Sequence, residues 1–311
     1  MILLNTVLPV FAIILAGFLA ARQGLLGAAS SEALNAFVYA VALPPLMFLS
    51  MAKVSLDEIL NWPFIAAYSA GMLVVFLLAV AVARIAFPNR MAALALHGYG
   101  AIFGNSGYMG IPLFLAAFGA EGALPAAIVT VLQTALVTAV VILLVEMDMQ
   151  AEAGPMRALL DAIAGLVKNP LVMAPIAGIL ISAFEIPIPR PIETFASILG
   201  DAAGPCALFA LGLFLYGKPL KAGIAEVGWM TFCKLILQPL VTWVIAVPVM
   251  GLPAFWAHAA VILAALPTGA TVFVIAQSYG IYVQRSSALI LVSTVLSVAT
   301  LSALFVMLGI R

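Results

Sequence analysis

The sequence predicts an all-α membrane protein that crosses the bilayer ten times, built as a 5+5 inverted repeat with two broken crossover helices. Three observations carry this expectation. Apolar residues make up 66% of the 311-residue chain, charged residues only 8%, and the mean hydropathy is +1.27, far from the makeup of a soluble domain. Ten apolar stretches, delimited by charges, prolines and glycines, approach the roughly 20 residues that a helix needs to cross the hydrocarbon core. Landmarks also recur at offsets of 161 to 164 residues: Asn5 through Ala20 (NTVLPVFAIILAGFLA) resembles Asn169 through Ala183 (NPLVMAPIAGILISA), Pro44 and Pro45 match Pro205, and Gly107 matches Gly269. A unit of five helices is odd-numbered, so its two copies cross the membrane in opposite senses.

In chain order the spans are expected at 3–21, 34–52, 63–86, 92–118, 123–146, 170–185, 194–217, 226–250, 256–279 and 286–309. No basic residue precedes the first apolar run, so it reads as a span and not as a cleaved signal peptide. Prolines break the second span of each half, at Pro44 and Pro45 and at Pro205. The longest polar connection, Met147 to Lys168 with Asp148, Glu152, Arg157 and Asp161, separates a first repeat (1–146) from a second (169–311) and forms a cytoplasmic loop (147–168). One face collects Arg22, Arg84, Arg90, Arg157, Lys168, Lys218, Lys221 and Arg285, the other only Lys53, Arg190 and Arg311. Basic flanks stay cytoplasmic, so both termini are expected outside.

The fourth and ninth spans contain what a regular membrane helix should not. "GNSGYMGIP" runs from Gly104 to Pro112 and "LPTGAT" from Leu266 to Thr271. Proline lacks an amide donor and glycine loosens the backbone, so both helices should break near mid-membrane. The freed N–H and C=O groups are costly in hydrocarbon unless they face protein or a wet cavity. Inverted repeats let the two breaks cross and bring two half-helix N-termini together, an electropositive site suited to a carboxylate. Gly104, Asn105, Ser106, Gly107, Tyr108, Pro112, Pro267, Thr268 and Gly269 are therefore the candidate substrate-binding residues.

These motifs also carry a family resemblance. "NSGYMGIPLFLAAFG" (105–119), "KNP" (168–170), "GDAAGPCALFALGLFL" (200–215) and "AALPTGATVFVIAQSYG" (264–280) lie in order over nearly the whole chain. They resemble the auxin efflux carrier family, which includes the plant auxin exporters and bacterial relatives often described as malonate transporters. The resemblance implies a ten-helix fold of the type shared with bile acid and sodium/proton carriers. It implies a scaffold of spans 1, 2, 6 and 7, a moving transport domain of spans 3–5 and 8–10, and a homodimer formed through the scaffold in a bacterial inner membrane. The chain departs from the plant members in its short central loop and in Thr268, which follows Pro267 where they usually have glutamine; the second departure bears on whether auxin itself is a substrate.

Four polar residues inside spans are candidates for coupling or support: Gln133, Asp201, Lys234 and Gln238. Lys234, about 12 Å into its span at 1.5 Å per residue, either snorkels to the cytoplasm or acts with Gln133 and Gln238. In related folds that region holds a coupling cation, and a fixed ammonium there would favour proton-linked transport or uniport over sodium coupling. Asp201, an isolated carboxylate in an apolar segment, either carries a proton or caps a break near Gly204 and Pro205. His97 and His258, near the starts of the two broken helices, are expected to make interfacial hydrogen bonds, and neither has a nearby second ligand that suggests a metal. Tyr99 and Tyr108 are candidates for lining the cavity or for packing. Cys206 and Cys233 read as small apolar residues.

Function classes narrow accordingly. The basic residues are scattered, which excludes a nucleic-acid face, and no G-x-x-x-x-G-K-[ST] loop is present for ATP-driven pumping. An intramembrane protease needs paired carboxylates or a positioned base. A passive anion channel is the competing reading. The expected function is secondary transport of a small organic anion by alternating access, without enzymatic activity or cofactor.

Overall fold

The computed structural model describes residues 8–149, 167–168, 170–217 and 223–310. Outside them lie Asn5 and Asn169, the landmarks of the first offset, Glu152, Arg157 and Asp161 of the central connection, and Lys218, Lys221 and Arg311. The described residues are helical, without a β-strand. In order the helices are α1 (Leu8–Arg22), α2 (Ala29–Ala52), α3 (Trp62–Ala86), α4 (Met91–Ile102), α5 (Ile111–Phe118), α6 (123–149), α7 (Pro170–Ala183), α8 (Arg190–Leu215), α9 (Ile224–Val249), α10 (Ala254–Ala264), α11 (Thr271–Tyr279) and α12 (Val283–Met307). Among the described residues six helical runs are long and apolar enough to cross a membrane: Ala29–Ala52, Leu56–Ala86, Ser106–Met149, Arg190–Leu215, Ile224–Val249 and Val283–Met307. The protein is a multi-pass, all-α membrane protein.

Local signals explain the helix boundaries. Pro63 occupies the first turn of α3, where a missing N–H costs nothing, and Asn61 Oδ1 accepts the Phe64 amide at 3.1 Å. At the start of α4 the cap is borrowed from another helix: Asp148 Oδ2, on α6, accepts the Ala92 amide at 3.1 Å. One side chain thus both starts a helix and joins two of them. Gly280, with φ at +65°, ends α11 in the left-handed conformation that glycine adopts at least cost.

The expected proline breaks in the second span of each half require correction. Pro205 lies inside α8, which runs unbroken for 26 residues. A proline there removes one bond, to the Asp201 carbonyl four residues back, and the buried Ala203, Gly204, Ala207 and Leu208 hold the helix through it. Pro44 and Pro45 sit in the first turn of the segment Leu43–Ala52, and the irregularity precedes them as a π turn at Val38–Ala42.

Backbone contact dominates the packing of one helix set. α1 lies along α8, and α2 lies along α7 and α8. A Cβ on Gly17 would overlap the Phe209 carbonyl, and one on Gly212 would overlap that of Ile14. Lipid supplies no hydrophobic drive between helices, so such close approach is what yields van der Waals attraction. The second set joins α3 to α4, α9 and α10, α4 to α6 and α11, α9 to α12, and α11 to α12.

Candidate functional site

The two interruptions meet. Between α4 and α5, and between α10 and α11, the chains run antiparallel for one bridge, Gly104 opposite Thr268. Asn105 N donates to Pro267 O at 2.8 Å and Gly269 N to Phe103 O at 3.0 Å. Backbone groups that neither half-helix can satisfy are thus satisfied by the other interruption. Gly269 fits because a Cβ there would lie 2.9 Å from the Phe103 ring and 3.1 Å from Gly104 O.

Side chains complete the pairing. Thr268 N donates to Ser293 Oγ of α12 at 3.1 Å, and Thr268 Oγ1 donates to Gly100 O at 3.0 Å. Its neighbours orient the Gln133 amide so that Nε2 donates to Gly104 O at 2.9 Å and to Ser106 Oγ at 3.2 Å, while Oε1 accepts from Tyr68 OH at 2.7 Å and lies 3.3 Å from Gly104 N. On the other side Lys234 Nζ donates to Ala264 O at 2.5 Å and to Gln238 Oε1 at 2.7 Å. Lys234 is 0% exposed, so it does not snorkel; its amino group is engaged at the end of α10. A Cβ on Gly104 would lie 3.5 Å from both the Gln133 side-chain amide and Lys234 Cε, so the two supports converge on one glycine.

Both supports sit in π turns, Gln133 in Leu132–Val137 and Lys234 in Cys233–Leu237. A π turn inserts a residue into the helical register and re-aims the side chains around it. Hydropathy carries no signal of such a turn. The sequence reading also passed over Tyr68 and Ser293, ordinary polar residues whose role depends on which helix they face.

A cavity of 1110 Å³ lies between α1, α2, α7 and α8 on one side and Tyr108, α6 and α11 on the other. Ser31, Asn35, Tyr39, Tyr108, Thr138 and Thr271 contribute polar groups to its wall. Of the candidate binding residues, Tyr108 reaches this wall, and Ala270 and Thr271 follow directly on the second interruption. The first amides of any helix lack acceptors within it, so α11 begins at the cavity with its positive end. Gly104, Asn105, Ser106, Gly107, Pro112, Pro267, Thr268 and Gly269 are not part of the wall; Pro112 packs on Gly204 of α8. Asn105 is 3% exposed, and its Nδ2 has no partner among the described residues.

Other expected residues lie apart. Asp201 is exposed on α8, on the face that also exposes Phe195 and Ile198, and it does not line the cavity. Its helix is unbroken, so it caps no break there. His97 is wholly buried, its Nδ1 3.3 Å from Glu226 Oε1, a partner that the sequence reading missed because Glu226 stands at a helix start. His258 is half-buried, Cys206 is half-buried and Cys233 is buried.

Residues 2–305 match the family described as "Membrane transport protein". The chain is 33% identical over 298 residues, 96% of its length and 93% of the relative's, to a protein of Rhizobium meliloti (strain 1021) named "Putative malonate transporter". It is 24% identical over 300 residues, 96% of its length and 95% of the relative's, to an uncharacterized transporter of Escherichia coli (strain K12). It is 30% identical over 151 residues, 47% of its length and 24% of the relative's, to auxin efflux carrier component 1 of Arabidopsis thaliana. With apolar helices throughout and a match that spans nearly the whole chain, this protein belongs to the membrane transport proteins of the auxin efflux carrier family.

Proposed function

We propose that the protein is a secondary carrier of a small organic anion, with the anion's carboxylate bound where the paired interruptions meet the cavity. The observation that carries this reading is the mutual pairing of the two breaks, Asn105 with Pro267 and Gly269 with Phe103, beside a cavity that begins at Tyr108 and Thr271. In this reading the chain crosses a bacterial inner membrane ten times with both termini outside, as a 5+5 inverted repeat whose interrupted helices cross. The α1, α2, α7 and α8 set is the scaffold and dimerises; the remaining helices move as the transport domain. The cavity between the two sets supports that division, because sliding one set past the other exposes its contents to either face.

The unpartnered Asn105 Nδ2 supports a substrate contact, since a buried donor left without an acceptor costs about 1–3 kcal/mol. Small movements that uncover it next to Tyr108 would let a carboxylate oxygen take that place. Lys234 and Gln133 act as supports that hold the two interruptions in place, and a fixed ammonium at Lys234 favours proton-linked transport or uniport over sodium coupling. Malonate enters as a candidate through the name of one relative, and an auxin-like acid through another.

Uptake into reconstituted vesicles, with malonate, other mono- and dicarboxylates and indole acids as solutes and with separately imposed proton and sodium gradients, tests the proposal. Saturable, trans-stimulated uptake of at least one acid supports a carrier; linear, non-saturating flux would make it a channel. Asn105→Ala should lower uptake about tenfold or more, the equivalent of losing one hydrogen bond to a charged group, without loss of folded protein. Full activity in that variant would contradict the site.

A further inference from the structure

A second cluster of ionisable groups lies in the core, and none of its members lines the cavity. His97 of α4 is 0% exposed and Glu226, in the first turn of α9, is 6% exposed. His97 Nδ1 lies 3.3 Å from Glu226 Oε1 and 3.0 Å from Tyr282 OH. Glu226 Oε2 lies 2.6 Å from Arg285 Nε, on a side chain that is 41% exposed. The Arg285 guanidinium also stands 5.0 Å from the centre of the Tyr282 ring. His97 Nε2 is buried without a partner among the described residues.

The turn that carries Tyr282, just before α12, is strained. Tyr282 adopts a left-handed φ of 66°, unfavourable for a residue with a Cβ, and such a conformation persists only where its surroundings hold it. Here His97 and Arg285 hold the ring. Gly223 opens the space for Arg285: a Cβ at that position would lie 2.9 Å from Arg285 Nε.

Charge balance decides what the cluster can do. With neutral His97 donating Nδ1–H, the Glu226 carboxylate is neutralised by Arg285, and the buried part is closed. A proton added at Nε2 makes an imidazolium beside the same carboxylate. Glu226 then has two cations for one charge, and the low-dielectric core favours keeping only one of them. Arg285 is the one with a route to water. Other charged or titratable groups on the helices packed against α4 are engaged elsewhere: Arg90 lies 3.9 Å from Asp148, Tyr99 OH is bonded to Thr138, Lys234 to Gln238 and Ala264, and Tyr279 to Glu146. Arg84 is exposed.

We propose that His97, Glu226 and Arg285 form a proton-binding site, in which His97 takes up a proton from solvent and Arg285 leaves Glu226 in exchange, freeing the turn at 280–285. The consequence reaches the transport path from two directions. Tyr279, at the start of that turn, donates to Glu146 Oε1 at 2.6 Å, and both residues line the cavity. Three residues beyond His97 on α4, Gly100 O accepts the Thr268 hydroxyl at the paired breaks. The link to transport rests on the proposed carrier function; proton uptake itself does not.

The chain has two histidines, so His258→Gln leaves a single imidazole to follow. Its nitrogen NMR signal in lipid nanodiscs, recorded from about pH 5 to pH 8, the range in which imidazole changes charge, reports protonation of His97. Hydrogen exchange of residues 279–286 in the same samples, corrected for the intrinsic pH dependence of amide exchange, reports the turn. As pH falls the signal should titrate and protection of the turn should fall, about tenfold for each pKa unit that separates the closed and open forms. Arg285→Gln should leave the turn open at every pH, and Glu226→Gln should abolish the pH dependence. An imidazole signal constant over this range, or a turn whose protection does not follow it, would overturn the proposal. The unsubstituted protein suffices for the exchange measurement if a variant does not fold, and no transported solute is involved, so failure here is separable from failure of the carrier reading.

Discussion

Gln133→Leu tests whether one amide holds the first interruption together. In the intact protein the Gln133 side chain bonds Gly104 O, Ser106 Oγ and Tyr68 OH and stands close to Gly104 N. Leucine keeps the volume and loses every one of these contacts. Ser106, a rotatable hydroxyl, can re-aim, but Gly104 O, Gly104 N and the Tyr68 hydroxyl stay where α4 and α3 put them, in a region with Tyr68 0% exposed. Three buried groups at the lower end of the 1–3 kcal/mol range for an unsatisfied partner give a destabilisation of about 3 kcal/mol. For a chain of this size that corresponds to a melting temperature about 6 °C lower, at roughly 2 °C per kcal/mol. Thermal unfolding in detergent measures it. Tyr68→Phe alone removes one partner and should cost about 1 kcal/mol, and the double variant should cost less than the sum, because the two residues share a bond. A Gln133→Leu protein that melts within about 1 °C of the parent, or a double variant with strictly additive losses, would refute the argument that this amide closes the break.

Three further outcomes follow from the same contacts. Lys234→Met should lower the transport rate about tenfold or more, since Ala264 O loses a charge-assisted bond, while stability changes less, because removing a buried ammonium also relieves its desolvation; unchanged uptake with unchanged pH dependence would remove Lys234 from the mechanism. Gly212→Val should abolish assembly of α1 on α8, because even one methyl overlaps the Ile14 carbonyl; a well-expressed variant melting like the parent would show that the two backbones are not in contact. Asp201→Asn should leave the pH profile of uptake unchanged, given its exposure on the far side of α8 from the cavity; a shifted profile would return the carboxylate to proton coupling.

Much of this protein is legible in its chain because the bilayer is a severe solvent. A span must be apolar and roughly 20 residues long, and its backbone must be satisfied internally. Composition and hydropathy therefore determine a helical, multi-pass protein, and Gly104, Pro267 and Gly269 mark where helix cannot continue, whereas Pro112 sits in the first turn of α5 and the helix runs on through it. Such breaks are visible because they are written in residue types with restricted or missing backbone chemistry.

What only the tertiary structure decided is which group meets which. Pro205 looks in sequence like the prolines that stop helices, yet α8 continues through it because its flanks are packed. Lys234 had two readings until Ala264 and Gln238 were found at its tip. Asp201 and Glu226 are both lone acids in apolar surroundings by sequence; one faces outward and the other is locked between His97 and Arg285. Apolar helices turn any face inward at similar cost in lipid, so the rotation of each helix is set by contacts made across the fold, among residues that are distant along the chain.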